Sequence, residues 1–219
     1  VKDNLITDIT TQKKVTDVDL LSSQTLFELK RKVMKFKKNG TPPLCTHDLY
    51  NEENDAILKA CKAAGLNNNA EDKVKIIFYP IYLTGADGLL DLNYYESMQG
   101  AHLGVFPSFY EPWGYTPLEA AALCVCAVTT DLSGFGKYIA NHAAQKKFPG
   151  VFVAKRLGVS DTDFEKSLAD VLITFARYSN EDRIKNKIEA KHVSTLADWR
   201  FMVKQYIAAH QIAVSKHWK

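Results

Sequence analysis

The sequence predicts an α/β fold, with a doubly wound parallel sheet followed by an all-helical tail. Three observations predict it. Short apolar runs alternate with helical patterns along most of the 219 residues. The runs are β-branched or aromatic and do not alternate with polar residues, as in strands covered on both faces. Beyond the last run only helical periodicity remains.

The elements follow in order. "SSQTLFELKRKVMKFKK" opens with a serine cap, carries a glutamate a few residues on and ends at Asn39-Gly40. "PLCT" (43 to 46) is the first predicted strand. "NDAILKACKAAG" is a helix that ends at Gly65, and "VKIIFYP" (74 to 80) is the second strand. "NYYESMQG" reads as a short helix, and "HLGVFPS" (102 to 108) as the third strand. "TPLEAAALC" has Pro117 just inside a helix, where a missing N–H costs nothing. "VCAVTT" (125 to 130), the helix "GFGKYIANHAAQ" and "GVFVAK" (150 to 155) complete the sheet. "DTDFEKSLADVLITFARYS", "NEDRIKNKIEAKHVS" and "TLADWRFMVKQYIAAHQIAVSKHW" are the closing helices, with Trp199 assigned to core packing. No internal repeat is visible.

Composition narrows the function. Hydrophobic residues make up 46% and charged residues 24%, ordinary for a globular protein. A net charge of +3 gives no argument for nucleic acid or a membrane surface as partner. The basic run at 30 to 40 reads as a solvated helix face or, alternatively, as a phosphate or polysaccharide contact. The cysteines at 45, 61, 124 and 126 have no zinc spacing and make no disulfide scaffold. Cys124 and Cys126, in "LCVCAV", read as small buried hydrophobes. A reducing cytoplasm is the simplest compartment, with no apolar span and no signal peptide in view. The chain starts at Val1 rather than Met, which suggests a piece of something longer.

Ligands of such sheets bind outside the carboxyl ends of the strands. Three stretches are expected there: "CTHD", "FYEPWGYTPLE" and "TTDLSGFGKY". His47 in the first has a structural hydrogen-bonding reading at least as strong as a functional one. In the second, Gly114, Tyr115 and Thr116 sit at a helix N-terminus, where free amides and the helix dipole favour an anion. The competing reading makes Thr116 an N-cap with Glu119 as its capping-box partner. Glu111 and Glu119 repel a phosphate but accept hydrogen bonds from hydroxyls. A diphosphate with a polyol at each end, a nucleotide-sugar, suits the set. Ser133 to Gly136 read as a tight turn or as a wall of the same cleft.

"HLGVFPSFYEPWGYTPLEAAALCVCAVTTDLSGFGKYI" resembles the glycogen (starch) synthases of the animal and fungal type. "PPLCTHDLYNEENDAIL", "LNYYESMQGAHLG" and "LADWRFMVKQYIAAH" extend the likeness from about residue 41 to about 212. The resemblance implies a Rossmann-like fold, one half of a two-domain retaining glucosyltransferase. It implies a nucleotide-sugar-binding domain at 1–180 and a helical tail at 181–219. The family moves glucose from a nucleotide diphosphate, usually UDP, to the non-reducing end of an α-1,4-glucan. The resemblance implies that Glu111 is the catalytic carboxylate at the donor glucose. Tyr94 stacks on the base, Trp113 and Gly114 line the glucose pocket, Tyr115 and Thr116 hold the diphosphate, and Glu119 meets the ribose. No metal or other cofactor is implied.

Two departures accompany the resemblance. No segment matches the family's basic pair that grips the diphosphate or its N-terminal acceptor domain, through which the glucan would be held. Transfer by this chain alone is therefore not expected, and a catalytically idle binding or assembly module is the alternative. For a glucose 6-phosphate effector, the resemblance gives His102, Arg183 and Lys187: His102 and Arg183 match, Lys187 replaces an arginine, and Glu189 and His192 stand where arginines usually do. Effector binding is expected to be weak or absent, the alternative being a solvated helix face. Homo-oligomerisation of the complete protein is left open.

Overall fold

The computed structural model describes residues 22–28, 40–142 and 147–217. The chain divides into two compact units, Val1–Leu92 and Asn93–Lys219.

In the first unit, residues 23–28 are helical and the Ser22 hydroxyl accepts from the Thr25 amide at 3.1 Å, as the predicted cap requires. The rest of that helix pattern and the lysines of the basic run lie outside the described residues. Helix α1 spans Ala56–Ala63. The Asp55 carboxylate caps it by accepting from the Ile57 and Leu58 amides, both at 2.9 Å. The strands predicted at 43 to 46 and 74 to 80 shrink to one parallel bridge, Cys45 with Phe78. The prolines at 42, 43 and 80 have no N–H to extend a ladder. Ile77 is 77% exposed, so among the described residues that part of the apolar run lies uncovered. Asn68, 3% exposed, supplies what a neighbouring strand would. Its carbonyl accepts from the Ile76 amide at 2.7 Å and its amide donates to the Ile76 carbonyl at 2.8 Å. His47 has a structural setting: its Nδ1 is 2.8 Å from the Thr46 hydroxyl, and its ring meets Tyr79 edge-on at 5.2 Å.

The second unit carries the predicted sheet. Helix α2 (Tyr94–Gln99) precedes strand β1 (Leu103–Val105). Helix α3 (Tyr115–Ala122), strand β2 (Cys126–Thr130), helix α4 (Gly134–His142) and strand β3 (Val151–Ala154) follow. Helices α5 (Asp161–Ala176), α6 (Asn180–Leu196) and α7 (Trp199–His217) end the described chain. The three strands are parallel in the order β1-β2-β3, with Gly104 opposite Ala127 and Val128 opposite Phe152. Helices flank the sheet on both sides, so the predicted α/β class holds. All five residues of β2 are buried, which explains why its sequence is apolar without alternation.

The core joins Ala120, Ala121, Val125, Ala127, Phe135, Ile139 and Val151 to Ala190 and Val193 of α6. Full burial of Phe135 alone is worth about 1.5–3 kcal/mol. Helix α6 approaches the sheet at Gly150, where a Cβ would lie 2.2 Å from the Ala190 nitrogen. Asn186, fully buried, accepts from the Gly150 amide at 3.1 Å. Helix α7 differs: none of its described residues is buried. Trp199, expected in the core, is 61% exposed and packs on Tyr206 with ring centroids 5.0 Å apart.

The C-terminus of α3 corrects another expectation. The Cys124 amide donates to Ala121 O at 3.0 Å and the Val125 amide to Ala120 O at 2.8 Å, a Schellman closure. Cys124 takes the left-handed residue of that turn, at φ 61°. It is therefore exposed, while Cys126 is buried as expected. Burial pushes the Cys126 thiol up to about 11.

Candidate functional site

Two of the three predicted loops belong to the second unit, and they converge at the carboxyl edge of its sheet. The chain leaving β1 is tied to the chain leaving β2. The Thr130 hydroxyl donates to Ser108 O at 2.7 Å. Glu111 and Ser133 form a parallel bridge: the Glu111 amide donates to Leu132 O at 3.4 Å and the Gly134 amide to Glu111 O at 3.1 Å. The Phe135 amide donates to Trp113 O at 2.6 Å. Ser133 is a joint in this weave, accepting from the Gly136 amide at 2.9 Å and lying 3.0 Å from the Thr129 hydroxyl. Gly134 permits the approach, since a Cβ there would lie 2.1 Å from Pro112 O. The Ser133–Gly136 turn thus fixes where the Glu111 loop runs.

Helix α3 starts from Gly114, not Thr116. Gly114 has φ 108° and no side chain caps the helix. The expected Thr116 N-cap is therefore wrong: Thr116 is the second helical residue. The left-handed turn at Gly114, open only to a residue without Cβ strain, starts the helix two residues early. Tyr115 and Thr116 then present first-turn amides with no intrahelical acceptor, and Pro117, buried, has none to present. Tyr115 is 67% exposed and Thr116 half-buried.

The predicted capping box between Thr116 and Glu119 is likewise absent. Glu119 lies in the second turn of α3, and its carboxylate turns to α2. Oε2 accepts from the Tyr94 hydroxyl at 2.9 Å and Oε1 from the Tyr95 hydroxyl at 3.3 Å. Those tyrosines are the first two residues of α2, which a capping box anchors. The Glu96 amide donates to Asn93 Oδ1 at 3.0 Å, and the Asn93 amide to Glu96 Oε2 at 3.0 Å. Burial, then the hydrogen bond to Glu119, pushes the Tyr94 phenol up to about 12. The negative charge of Glu119 is the main cause raising Tyr95.

Glu111 comes just ahead of the helix. Its Oε2 accepts from the Ser108 hydroxyl at 3.0 Å and lies 3.5 Å from where a Cβ on Gly114 would sit. The Glu111 carboxylate therefore flanks the start of α3, with Glu119 one turn in. Trp113, between them in the fold, packs its ring at 5.9 Å from Phe135 and 5.7 Å from Tyr138, half-buried against the core. Glu111, Trp113, Gly114, Tyr115, Thr116, Glu119 and Tyr94 thus form one assembly.

His102, Arg183 and Lys187 lie elsewhere. His102 is exposed immediately before β1, at the amino edge of the sheet. Lys187 is half-buried on α6, and its charge acts on Cys126, the first residue of β2. The Arg183 guanidinium donates to Ala176 O, near the end of α5, at 3.1 Å and lies 5.9 Å from the Phe175 ring. Sequence reasoning did not single out Tyr95, Ser108 or Asp131. Ser108 holds Glu111, Tyr95 holds Glu119, and Asp131 Oδ1 fixes the turn after β3 by accepting from the Arg156 and Leu157 amides at 2.7 and 3.0 Å. "NYYE" shows both tyrosines at a helix start, but their partner is 24 or 25 residues away and no local pattern points to it.

The sequence model described as glycogen synthase matches residues 3–219. The chain is 36% identical over 198 residues to the liver glycogen [starch] synthase of Homo sapiens, covering 90% of this chain and 28% of that protein. It is 35% identical over 198 residues to the glycogen [starch] synthase of Neurospora crassa, at the same coverage. It is 34% identical over 212 residues to isoform 2 of Saccharomyces cerevisiae, covering 95% of this chain and 30% of that protein. The chain thus spans less than a third of the length of these relatives. Among the described residues no helix is long and apolar enough to cross a membrane.

Proposed function

The chain belongs to the glycogen synthase family, and on that premise we propose that its second unit is the donor side of a retaining glucosyltransferase. The donor is a nucleotide-diphosphate glucose, UDP-glucose in the first instance. The acceptor is the non-reducing end of an α-1,4-glucan, and transfer is the work of the whole protein. The observation that supports this most is the placement of two carboxylates, Glu111 and Glu119, around the open N-terminus of α3.

Each group has one part. The Tyr115 and Thr116 amides and the α3 dipole receive the diphosphate, and Gly114 lets it come close. Glu119 accepts from the ribose hydroxyls, and Tyr94 stacks on the base. With one phenol already on each oxygen of Glu119, a ribose hydroxyl either uses a second lone pair or displaces the longer bond from Tyr95. Trp113 walls the glucose pocket. The C1–O bond to the diphosphate breaks with its electron pair leaving on the phosphate oxygen. The acceptor hydroxyl forms the new C1–O bond on the face from which the diphosphate departs, as retention requires, and its proton passes to the departing phosphate oxygen. Glu111 stabilises the positive charge that grows on the ring, and the α3 N-terminus stabilises the departing negative charge without a metal.

The cations of the opposite edge serve the fold on this reading. Arg183 donates one hydrogen bond to a helix end, and no effector site is assigned to His102, Arg183 and Lys187. A cytoplasmic location accompanies the proposal.

Kinetics of two variants of the complete protein test it. Glu111→Gln is expected to lose most of its turnover at saturating donor. Glu119→Gln is expected to raise the donor KM about tenfold with turnover largely kept, since an amide still accepts from a hydroxyl. Unchanged kinetics in both would reduce the loop to a helix start and overturn the reading.

A further inference from the structure

A cavity lies at the same sheet edge, outside the ends of β2 and β3, and the donor assignment gives it nothing to do. Its volume is about 480 Å3, and Phe109, Leu132, Arg156, Leu157, Gly158 and Asp161 are among its walls. Arg156 is only 8% exposed, yet it is no anion receptor. Its guanidinium pairs with the Asp161 carboxylate and donates to Val159 O at 3.5 Å. It also lies 4.4 Å from the Phe109 ring centroid and 4.9 Å from that of Phe164. With its charge met by Asp161, what remains is mechanical: a buried planar group braces one face of Phe109. Phe109 is nonetheless 72% exposed, so most of its ring stays open to a ligand. Leu157, 58% exposed, adds apolar surface, and open space surrounds the Cα of Gly158. The Asp161 carboxylate, 81% exposed, offers acceptor capacity at the rim.

The geometry points to a subsite for a neutral pyranose ring, one glucose unit of a glucan, seated on Phe109. The C–H face of a sugar matches an aromatic ring, and its hydroxyls match a carboxylate acceptor. Among the described residues that line it, the one cation is Arg156, already paired with the exposed Asp161 carboxylate, so a phosphate meets no unpaired cation there. The cavity also adjoins the donor loop, because Leu132 O accepts from the Glu111 amide at 3.4 Å. The inference rests on the glucosyltransferase reading for the choice of sugar.

The test uses the present chain with maltotriose as probe, and UDP as a separate probe of the donor site. Ring resonances of Phe109 are followed by NMR in each titration. Maltotriose is expected to shift Phe109 with a millimolar dissociation constant. Phe109→Ala is expected to weaken that binding about tenfold, with UDP binding unchanged. Phe201→Ala, which removes an exposed ring of α7, is the control and is expected to leave both alone. Failure of millimolar maltotriose to bind, or equal binding by Phe109→Ala, overturns the subsite whatever UDP does. A Phe109 shift produced by UDP and not by maltotriose also overturns it, in favour of a nucleobase. Failure of UDP alone counts against the donor reading and leaves the maltotriose result standing in support of the subsite.

Discussion

The two edges of one sheet use polar side chains in opposite ways. At the carboxyl edge, backbone bonds and hydroxyls fix the loops. Among the described residues the Glu111 and Glu119 carboxylates accept only from Ser108, Tyr94 and Tyr95. Their charge stays uncompensated by any cation there. At the amino edge the cations of α6 are engaged with the fold. Arg183 meets Ala176 O, Lys191 Nζ meets Ala122 O at 2.8 Å, and Lys185 pairs with Glu181 at 2.7 Å. Charge placed at helix C-termini stabilises the helices it caps. Charge left on hydroxyl donors can be handed to a ligand that brings hydroxyls of its own. The difference separates a candidate site from a support, although both edges are rich in ionisable residues.

The largest expected effect comes from forcing the carboxyl edge apart. Gly134→Ala brings a Cβ to within 2.1 Å of Pro112 O. It is expected to cost about 3 kcal/mol or more in urea unfolding, and to abolish UDP binding by the protein that still folds. Gly150→Ala is the matching change at the amino edge, with a Cβ 2.2 Å from Ala190 N and φ at 71°. It is expected to destabilise as much, but UDP binding by its folded fraction should match wild type. Equal damage to binding in both would erase the contrast between the edges.

A milder change is Asn186→Ala, which strands the buried Gly150 amide. A loss of about 1–3 kcal/mol is expected, again with UDP affinity kept. Cys124→Gly relieves a non-glycine residue held at φ 61° and should gain about 0.5–1 kcal/mol in the same denaturation assay. The smallest effect is a slope. Tyr94 titrates at about 12 in the folded chain against about 10 unfolded. Its contribution is therefore present in full below pH 10 and is lost as pH rises through 12. Stability measured across that window should fall more steeply for wild type than for Tyr94→Phe. Parallel curves would mean that the bond to Glu119 does not hold the phenol in its neutral form.

Much of the second unit was legible in the sequence. The runs "HLGVFPS", "VCAVTT" and "GVFVAK" each gave a strand, though β1 keeps only Leu103–Val105; β2, buried along its whole length, is the one whose lack of alternation burial on both faces explains. "PLCT" and "VKIIFYP" had the same composition and gave only a bridge, because prolines cut the ladder and, among the described residues, no layer covers Ile77. The local pattern cannot tell these cases apart, since covering is a property of what packs above. The candidate site divides in the same way. "EPWGYTPLE" announced the carboxylates and the helix start, yet the cap was placed on Thr116, because Ser and Thr caps are the commoner solution and the left-handed Gly114 is invisible until the loop is anchored.

The sequence by itself determined the residue types, the parallel α/β class and the loop that carries Glu111 and Glu119. These follow from local forces: side-chain periodicity, proline and glycine geometry, and the repulsion of a phosphate by glutamates. The tertiary structure alone decided that Glu119 faces two tyrosines of α2, that Arg183 reaches the carbonyl at the end of α5, and that Cys124 is outside while Cys126 is inside. Each of those outcomes depends on a backbone turn or on a partner remote in sequence. Hydrogen bonds reach only about 3 Å, so what a side chain does is set by which distant segment the fold brings within that distance.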